Sequence, residues 1–119
     1  MTDPLNVLFV CSRNQWRSPT AERVWRKTLG LNVRSAGTSP RARRTLRHDD
    51  ILWADVIFVM EEKHKSRVLS EFRQAASRKE MHVLDIPDDF KFMDPELVEL
   101  LHDKGAPILL DGHNNSDRA

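Results

Sequence analysis

Four short segments typical of β-strands constrain the fold of this chain more than any other feature. The clearest, Leu5–Val10, is apolar at every position except Asn6, which is typical of a strand buried on both faces of a parallel sheet. The other predicted strands are Asn32–Ala36, Val56–Met60 and Met81–Ile86. The stretches between and after the strands have helical spacing, and the predicted helices are 19–30, Arg41–Ala54, Glu61–Ser77 and Pro95–His102 with Gly105 as its stop. This alternation predicts an α/β fold with a parallel sheet and right-handed crossovers.

Length and charge limit the possible functions. A chain of 119 residues fits one domain, predicted as 1–110, followed by a polar tail over 111–119 that is expected to be disordered. The net charge of +1 is too close to neutral for a dedicated nucleic-acid binder, although residues 1–59 carry +5 and residues 60–119 carry −4. The start of the chain does not read as a signal peptide, and its apolar run is too short to cross a membrane. A cytoplasmic protein that binds no membrane is therefore expected.

The first predicted strand leads directly into the only cysteine, Cys11. A single cysteine cannot form an internal disulfide, so its thiol is either inert packing or a reactive group. A polar loop follows as far as Arg17. Ser18 and Pro19 then have the pattern of a helix cap and a first helical residue, and Gly30 is the predicted end of that helix.

The loop from Cys11 to Arg17 has the chemistry of an oxyanion site. A loop that enters a helix N-terminus turns backbone N–H groups toward a common centre, where the helix dipole adds positive potential. The same environment stabilises a thiolate, and Arg17 can donate two hydrogen bonds to phosphate oxygens. Ser18 can donate to the sulfur. Asn14 tolerates the positive φ of a tight loop, and Ser35, at the end of the neighbouring strand, can brace it.

Four segments resemble one enzyme family. The segment Val7–Glu22 resembles the phosphate-binding loop of the low-molecular-weight protein tyrosine phosphatases, and Ser35–Ser39 is similar to the family's segment after its second strand. The segments Asp55–Glu61 and Asp85–Phe90 resemble its third strand and its general-acid loop. The resemblance implies the phosphotyrosine protein phosphatase I-like fold: a single three-layer domain with a four-stranded parallel sheet of order 2-1-3-4 flanked by helices.

The resemblance also implies roles for particular residues. Cys11 is the expected nucleophile, Arg17 the expected phosphate ligand and Asp88 the expected general acid in a reaction that passes through a cysteinyl-phosphate. The residues expected to form or support the phosphate loop are Ser12, Arg13, Asn14, Gln15, Trp16, Ser18 and Ser35. No metal and no cofactor are implied.

The sequence departs from the family at several points. The family has Asp-Pro in its acid loop, whereas Asp88 is followed by Asp89, so Asp89 and Asp94 stay open as alternatives for the acid. Asp94 with Pro95 also reads as a helix cap. The middle segment is shortened to residues 40–54, no tyrosine is present, and Trp16 stands where relatives often carry a second cysteine. Trp16 and Phe90 are the candidate pocket walls.

Several functions remain open on the sequence alone. The leading prediction is a hydrolase of phosphotyrosine or related aryl phosphates, with a phosphorylated protein or a small aryl phosphate as its partner and phosphate, sulfate and vanadate as inhibitory oxyanions. The alternatives are an arsenate reductase that uses an external thiol and an inactive relative that binds phosphoproteins. A basic cluster is interpreted as a solvated helix face, with substrate recruitment as the alternative: Arg41, Arg43, Arg44 and Arg47.

Overall fold

The computed structural model describes residues 4–112, which form one sheet with helices on both faces. The strands are β1 (Leu5–Cys11), β2 (Leu31–Gly37), β3 (Val56–Val59) and β4 (Glu80–Val83). The helices are α1 (Arg17–Trp25), α2 (His48–Trp53), α3 (Glu62–Glu71), α4 (Arg73–Ala76) and α5 (Pro95–Ala106), followed by a π-helical segment, Pro107–Gly112.

The strand order is β2-β1-β3-β4, and all three pairings are parallel. Strand β1 is central, which explains its apolar run. Val7 and Phe9 pack on one face of the sheet in a core with residues of α1 and α5, whereas Leu8 and Val10 pack on the other face with residues of α2 and α3. The predicted three-layer α/β fold and the order 2-1-3-4 are confirmed.

The predicted helix over 41–54 is wrong in its first half. Residues 41–47 cross the carboxyl end of β2, where Thr45 forms a parallel bridge with Gly37. The amide of Gly37 donates to the carbonyl oxygen of Arg44, and the amide of Leu46 donates to that of Gly37. These long-range hydrogen bonds replace the helical ones, so α2 begins only at His48. The predicted helix over 61–77 is also interrupted, because Phe72 leaves the helical conformation between α3 and α4.

The ends of two other helices differ from the prediction. Helix α1 begins at Arg17 and ends at Trp25, so Ser18 lies inside its first turn and is not the cap. Helix α5 does not stop before Gly105, which lies within it and faces the indole of Trp25. Strand β4 is shorter than predicted and ends at Val83. Asp94 caps α5 as its sequence context predicted, because its side chain accepts a hydrogen bond from the amide of Glu96.

The described residues neither confirm nor contradict the predicted domain limits. The π-helical segment runs across the predicted boundary to Gly112, and residues 113–119 of the predicted tail lie outside the described residues. Within residues 4–112, no helix is long and apolar enough to cross a membrane.

Candidate active site

The loop between β1 and α1 surrounds a pocket of about 200 Å³ at the carboxyl edge of the sheet. Its lining residues are Cys11, Ser12, Arg13, Gln15, Trp16, Arg17 and Asp88. All seven were predicted as site residues, and the structure brings them together. Cys11 is only 3% exposed, so a ligand has to enter this pocket to reach its sulfur.

The bend of the loop depends on Asn14, which has a φ of 55°. Its buried side-chain amide donates to the hydroxyl oxygens of Ser18 and Ser35, both at 2.9 Å. Ser35 in turn donates a short hydrogen bond to the carboxylate of Glu22. The side chain of Asn14 therefore ties the bend both to the first turn of α1 and to β2, as the sequence predicted for Ser35.

The bend leaves a run of backbone donors without protein partners. Among the described residues, no acceptor takes a hydrogen bond from the amides of residues 12–18. Those at the start of α1 are the amides that any helix N-terminus leaves free. Successive amides of this kind, next to the positive end of a helix dipole, form a binding site for an oxyanion.

Ser18 connects this network to the sulfur. Its Oγ lies 3.0 Å from Sγ of Cys11. Because the same oxygen already accepts from Asn14, its own proton is free to point at the sulfur. Within residues 4–112 the one other acceptor it reaches is the carbonyl oxygen of Ala36, 3.5 Å away. Ser18 is therefore oriented to stabilise negative charge on Cys11.

Ser12 is hydrogen-bonded to His64, a residue that was not predicted from the sequence as part of the site. Nδ1 of His64 accepts the amide proton of Glu61 at 3.0 Å, so Nε2 carries the ring proton and donates it to Oγ of Ser12 at 2.8 Å. Burial of the imidazole, together with the positive charge of Arg17, lowers the pKa of His64 to about 4. His64 is therefore neutral at neutral pH and held in one tautomer.

Arg17 is 2% exposed and its guanidinium is fixed from one side. Its Nη1 donates to Oε1 of Glu61 at 2.5 Å and to the carbonyl oxygen of Ile86 at 2.9 Å. Burial by itself raises the pKa of Glu61, but the hydrogen bond and the charge of Arg17 outweigh it and hold that pKa below its usual range. The Nη2 and Nε donors of Arg17 remain for a ligand in the pocket.

Of the three candidate acids, Asp88 is the one that lines the pocket. Its Oδ1 lies 3.6 Å from Nε of Arg17, and its side chain is 57% exposed. Asp94 is occupied in capping α5. The loop that carries Asp88 is attached to α1 through Thr20, whose hydroxyl donates to the carbonyl oxygen of Trp16 at 2.6 Å and accepts the amide proton of Met93 at 2.9 Å.

The two predicted pocket walls differ in position. Trp16 lines the pocket and is 40% exposed. Phe90 is partly buried against the core that contains Leu97 and Leu101, and it is not among the described residues that line the pocket. A role for Phe90 beside the substrate stays a prediction that the geometry does not support.

The predicted basic cluster over 41–47 is not a helix face. Nε of Arg43 donates to the backbone oxygen of Asn14 at 3.0 Å, and Nη1 of Arg44 donates to the backbone oxygen of Ser35 at 2.8 Å. Two of the four arginines therefore support the phosphate loop and its brace from outside. Within residues 4–112, no group of three or more His, Cys, Asp and Glu side chains has the arrangement of a metal site.

Comparison with known proteins identifies the fold and matches part of the chain to one family. Residues 6–53 match the family described as low molecular weight phosphotyrosine protein phosphatase. The fold is shared with the YwlE arginine phosphatase from Geobacillus stearothermophilus, with a TM-score of 0.73 and 24% identity over 94% of this chain and 97% of the other. Over residues 6–53 the chain is similar to the low-molecular-weight tyrosine phosphatases. The predicted resemblance is confirmed, as is the predicted class of enzyme, a cysteine-dependent phosphatase.

Two further solved structures, both of tyrosine phosphatases, share this fold. The phosphatase from Vibrio cholerae O395 has a TM-score of 0.72 and 23% identity, over 94% of this chain and 98% of the other. The tyrosine phosphatase Wzb from Escherichia coli K30, in complex with phosphate, has a TM-score of 0.69 and 21% identity, over 87% of this chain and 94% of the other. No curated protein matches the sequence.

Proposed function

We propose that this phosphatase hydrolyses phosphotyrosine or a related aryl phosphomonoester, with Cys11 as nucleophile, Arg17 as phosphate ligand and Asp88 as general acid. One observation carries the proposal: the sulfur of Cys11 lies in a pocket formed by free loop amides, with Arg17 and Asp88 in the same wall. A phosphoryl group fits such a site because its oxygens can accept from the amides and from two donors of one guanidinium.

In the first step the thiolate of Cys11 attacks phosphorus. The sulfur–phosphorus bond forms as the bond to the phenolic oxygen breaks, and Asp88 gives its proton to the leaving oxygen. Glu61 and the carbonyl oxygen of Ile86 fix one edge of the Arg17 guanidinium, so its other donors stay directed at the phosphoryl oxygens throughout the transfer.

In the second step water releases the phosphoryl group. Asp88, now a carboxylate, takes a proton from the attacking water, and the sulfur–phosphorus bond breaks to give inorganic phosphate and the thiolate. The Ser18 hydroxyl, 3.0 Å from the sulfur, stabilises the departing thiolate. The same amides bind the phosphoryl group in both steps, so phosphate, sulfate and vanadate are expected to compete with the substrate.

The substrate is proposed to be a phosphorylated protein in the cytoplasm. The exposed edge of Trp16 at the pocket supports an aryl phosphate, since an aromatic ring can pack against the indole. Among the structural neighbours YwlE is described as an arginine phosphatase and others as tyrosine phosphatases, so phosphoarginine is the competing substrate to test.

The experiment compares turnover of p-nitrophenyl phosphate by the wild type and by Cys11→Ser. Turnover is expected in the wild type and should be lost in the variant, while vanadate still protects the variant against thermal unfolding. Asp88→Asn is expected to lower kcat by roughly 10²- to 10⁴-fold, and Asp89→Asn is the matched control with near-normal kcat. Turnover that survives in Cys11→Ser contradicts the mechanism, and a loss of kcat in Asp89→Asn alone reassigns the acid.

Two parallel assays separate the competing reactions. Phosphoarginine replaces the aryl phosphate in the first, and a higher kcat/KM for it would move the substrate class away from phosphotyrosine. In the second, thiol consumption is followed with arsenate and an external thiol, which tests arsenate reduction. Vanadate binding by a wild type that turns over none of these substrates would instead favour an inactive phosphoprotein-binding relative.

A further inference from the structure

A second cavity, of about 550 Å³, opens beside the phosphate pocket. It lies between the segment that follows β2 and the exposed face of α3, and Ser12 lines both cavities. We call it the cationic groove and define it by Ser12, Ser39, Lys63, Ser66, Arg67 and Ser70. Because the two cavities share Ser12, they are adjacent, and residues next to a phosphorylated side chain in the pocket can reach the groove.

The side chains of the groove suit an anionic ligand. Two are cationic, Lys63 and Arg67, several carry hydroxyl groups, and none of the described residues that line the groove is acidic. His64 also lines it and is neutral at neutral pH, so it adds hydrogen-bonding capacity without charge.

The two cations are only partly neutralised by neighbouring carboxylates. Nζ of Lys63 lies 3.8 Å from Oε1 of Glu61, which is too far for a hydrogen bond, and 64% of its side chain is exposed. Arg67 binds Glu71 through Nε at 2.5 Å, and this leaves its terminal nitrogens as donors. Both residues can therefore bind an additional carboxylate.

The surface on the other side of Lys63 has the opposite character. A cavity of about 380 Å³ there is lined by Glu61, Glu62 and Asp85 together with Lys63 and Pro87. A negatively charged segment of a bound protein is repelled from this side and attracted to the groove. The contrast gives a bound substrate a preferred direction across the pocket.

We propose that the cationic groove is a substrate subsite that binds acidic side chains next to the phosphorylated residue, so that the enzyme selects phosphoproteins with Asp or Glu flanking the phosphate. This inference rests on the proposed phosphatase function. It specifies which residues flank the phosphorylated residue in a preferred substrate, and the phosphate pocket alone does not determine this.

The test compares p-nitrophenyl phosphate with phosphotyrosine peptides that carry Asp on one side only of the phosphorylated residue, N-terminal in one peptide and C-terminal in another. The better substrate of these two is the Asp peptide, and its matched partner has Asn at the same positions. The groove variant is Lys63→Gln/Arg67→Gln. The matched control, Lys65→Gln/Arg78→Gln, removes the same charge from residues outside the groove. Each peptide kcat/KM is divided by that of p-nitrophenyl phosphate for the same variant, which removes differences in folding or in the chemical step.

At low salt the wild type is expected to prefer the Asp peptide by roughly three- to tenfold, as two exposed ion pairs allow. The preference should fall to about one in the groove variant, persist in the control variant and weaken at 0.3 M NaCl because the charges are screened. The inference would be overturned if the wild type used the two peptides at equal rates. It would also be overturned if the preference survived in the groove variant or disappeared equally in the control variant. Absence of turnover of p-nitrophenyl phosphate by the wild type would instead contradict the proposed function.

Discussion

The buried imidazole of His64 gives the fold a pH dependence that can be measured. In the folded chain His64 has a pKa of about 4, below the ordinary histidine value of 6.5, because burial and the charge of Arg17 disfavour the protonated ring. The unfolded chain takes up the proton near the ordinary pKa. Between the two values the unfolded state therefore binds more protons, and the free energy of unfolding falls as the pH falls.

The size of the effect follows from the two pKa values. The contribution is fully present above pH 6.5 and is lost progressively down to pH 4. With these values, the step from pH 7 to pH 5 costs about 2 kcal/mol of stability. Glu61 does not interfere, because its lowered pKa stabilises the fold at higher pH and that contribution is lost only below its ordinary value of 4.5.

Urea unfolding at pH 7 and pH 5 measures this difference. The variant is His64→Gln, which cannot titrate in this range but whose amide can still donate to Ser12. It is expected to lose about 2 kcal/mol less than the wild type between the two pH values. His48→Gln, at an exposed histidine, should retain the wild-type pH dependence. If His64→Gln and the wild type lost equal stability, the buried neutral imidazole would not be the source of the effect.

Two further substitutions test how the site is supported. Gly37→Ala would place a Cβ 2.6 Å from the backbone oxygen of Ser12. We expect the free energy of unfolding, measured in urea, to fall by about 1–3 kcal/mol and kcat/KM to fall as well. In contrast, the Cβ of Gly105→Ala would lie 3.5 Å from its nearest neighbour, so this control should be neutral or stabilising by up to about 1 kcal/mol. Thr20→Val removes the acceptor of the Met93 amide, so kcat for an aryl phosphate should fall severalfold with little change in vanadate affinity. Thr20→Ser should restore kcat. An unchanged kcat in Thr20→Val would show that this contact does not position the acid loop.

The part of the site that could be predicted from the sequence is the part that is local in the chain. Cys11, Asn14, Arg17 and Ser18 lie within eight consecutive residues. They stand where a strand that is apolar from Val7 onward meets the start of a helix, so their mutual arrangement follows from that one junction. The contact of Asn14 with Ser35 was also predictable, because adjacent parallel strands end at the same edge of the sheet.

The error at residues 41–47 has a different origin. Arginine and leucine are good helix formers, and the spacing of the apolar residues favoured a helix. In the structure, Leu46 bonds to Gly37, and Arg43 and Arg44 bond to the backbone of Asn14 and Ser35. Tertiary hydrogen bonds of this kind outweigh helix propensity, and nothing in a single sequence indicates that they form.

The edge rule that placed Ser35 also explains why Glu61 was predictable in principle and Asp88 less so. Strand β3 pairs with β1, so Glu61, two residues beyond the end of β3, has to lie beside the loop that carries Arg17. Strand β4 does not pair with β1, and the distance between its end and the pocket is crossed by a loop without regular structure. The position of Asp88 therefore depends on the path of that loop, which Arg17 holds to α1 at Ile86 and Thr20 holds at Met93. The general acid is thus the member of the site whose position the strand order determines least.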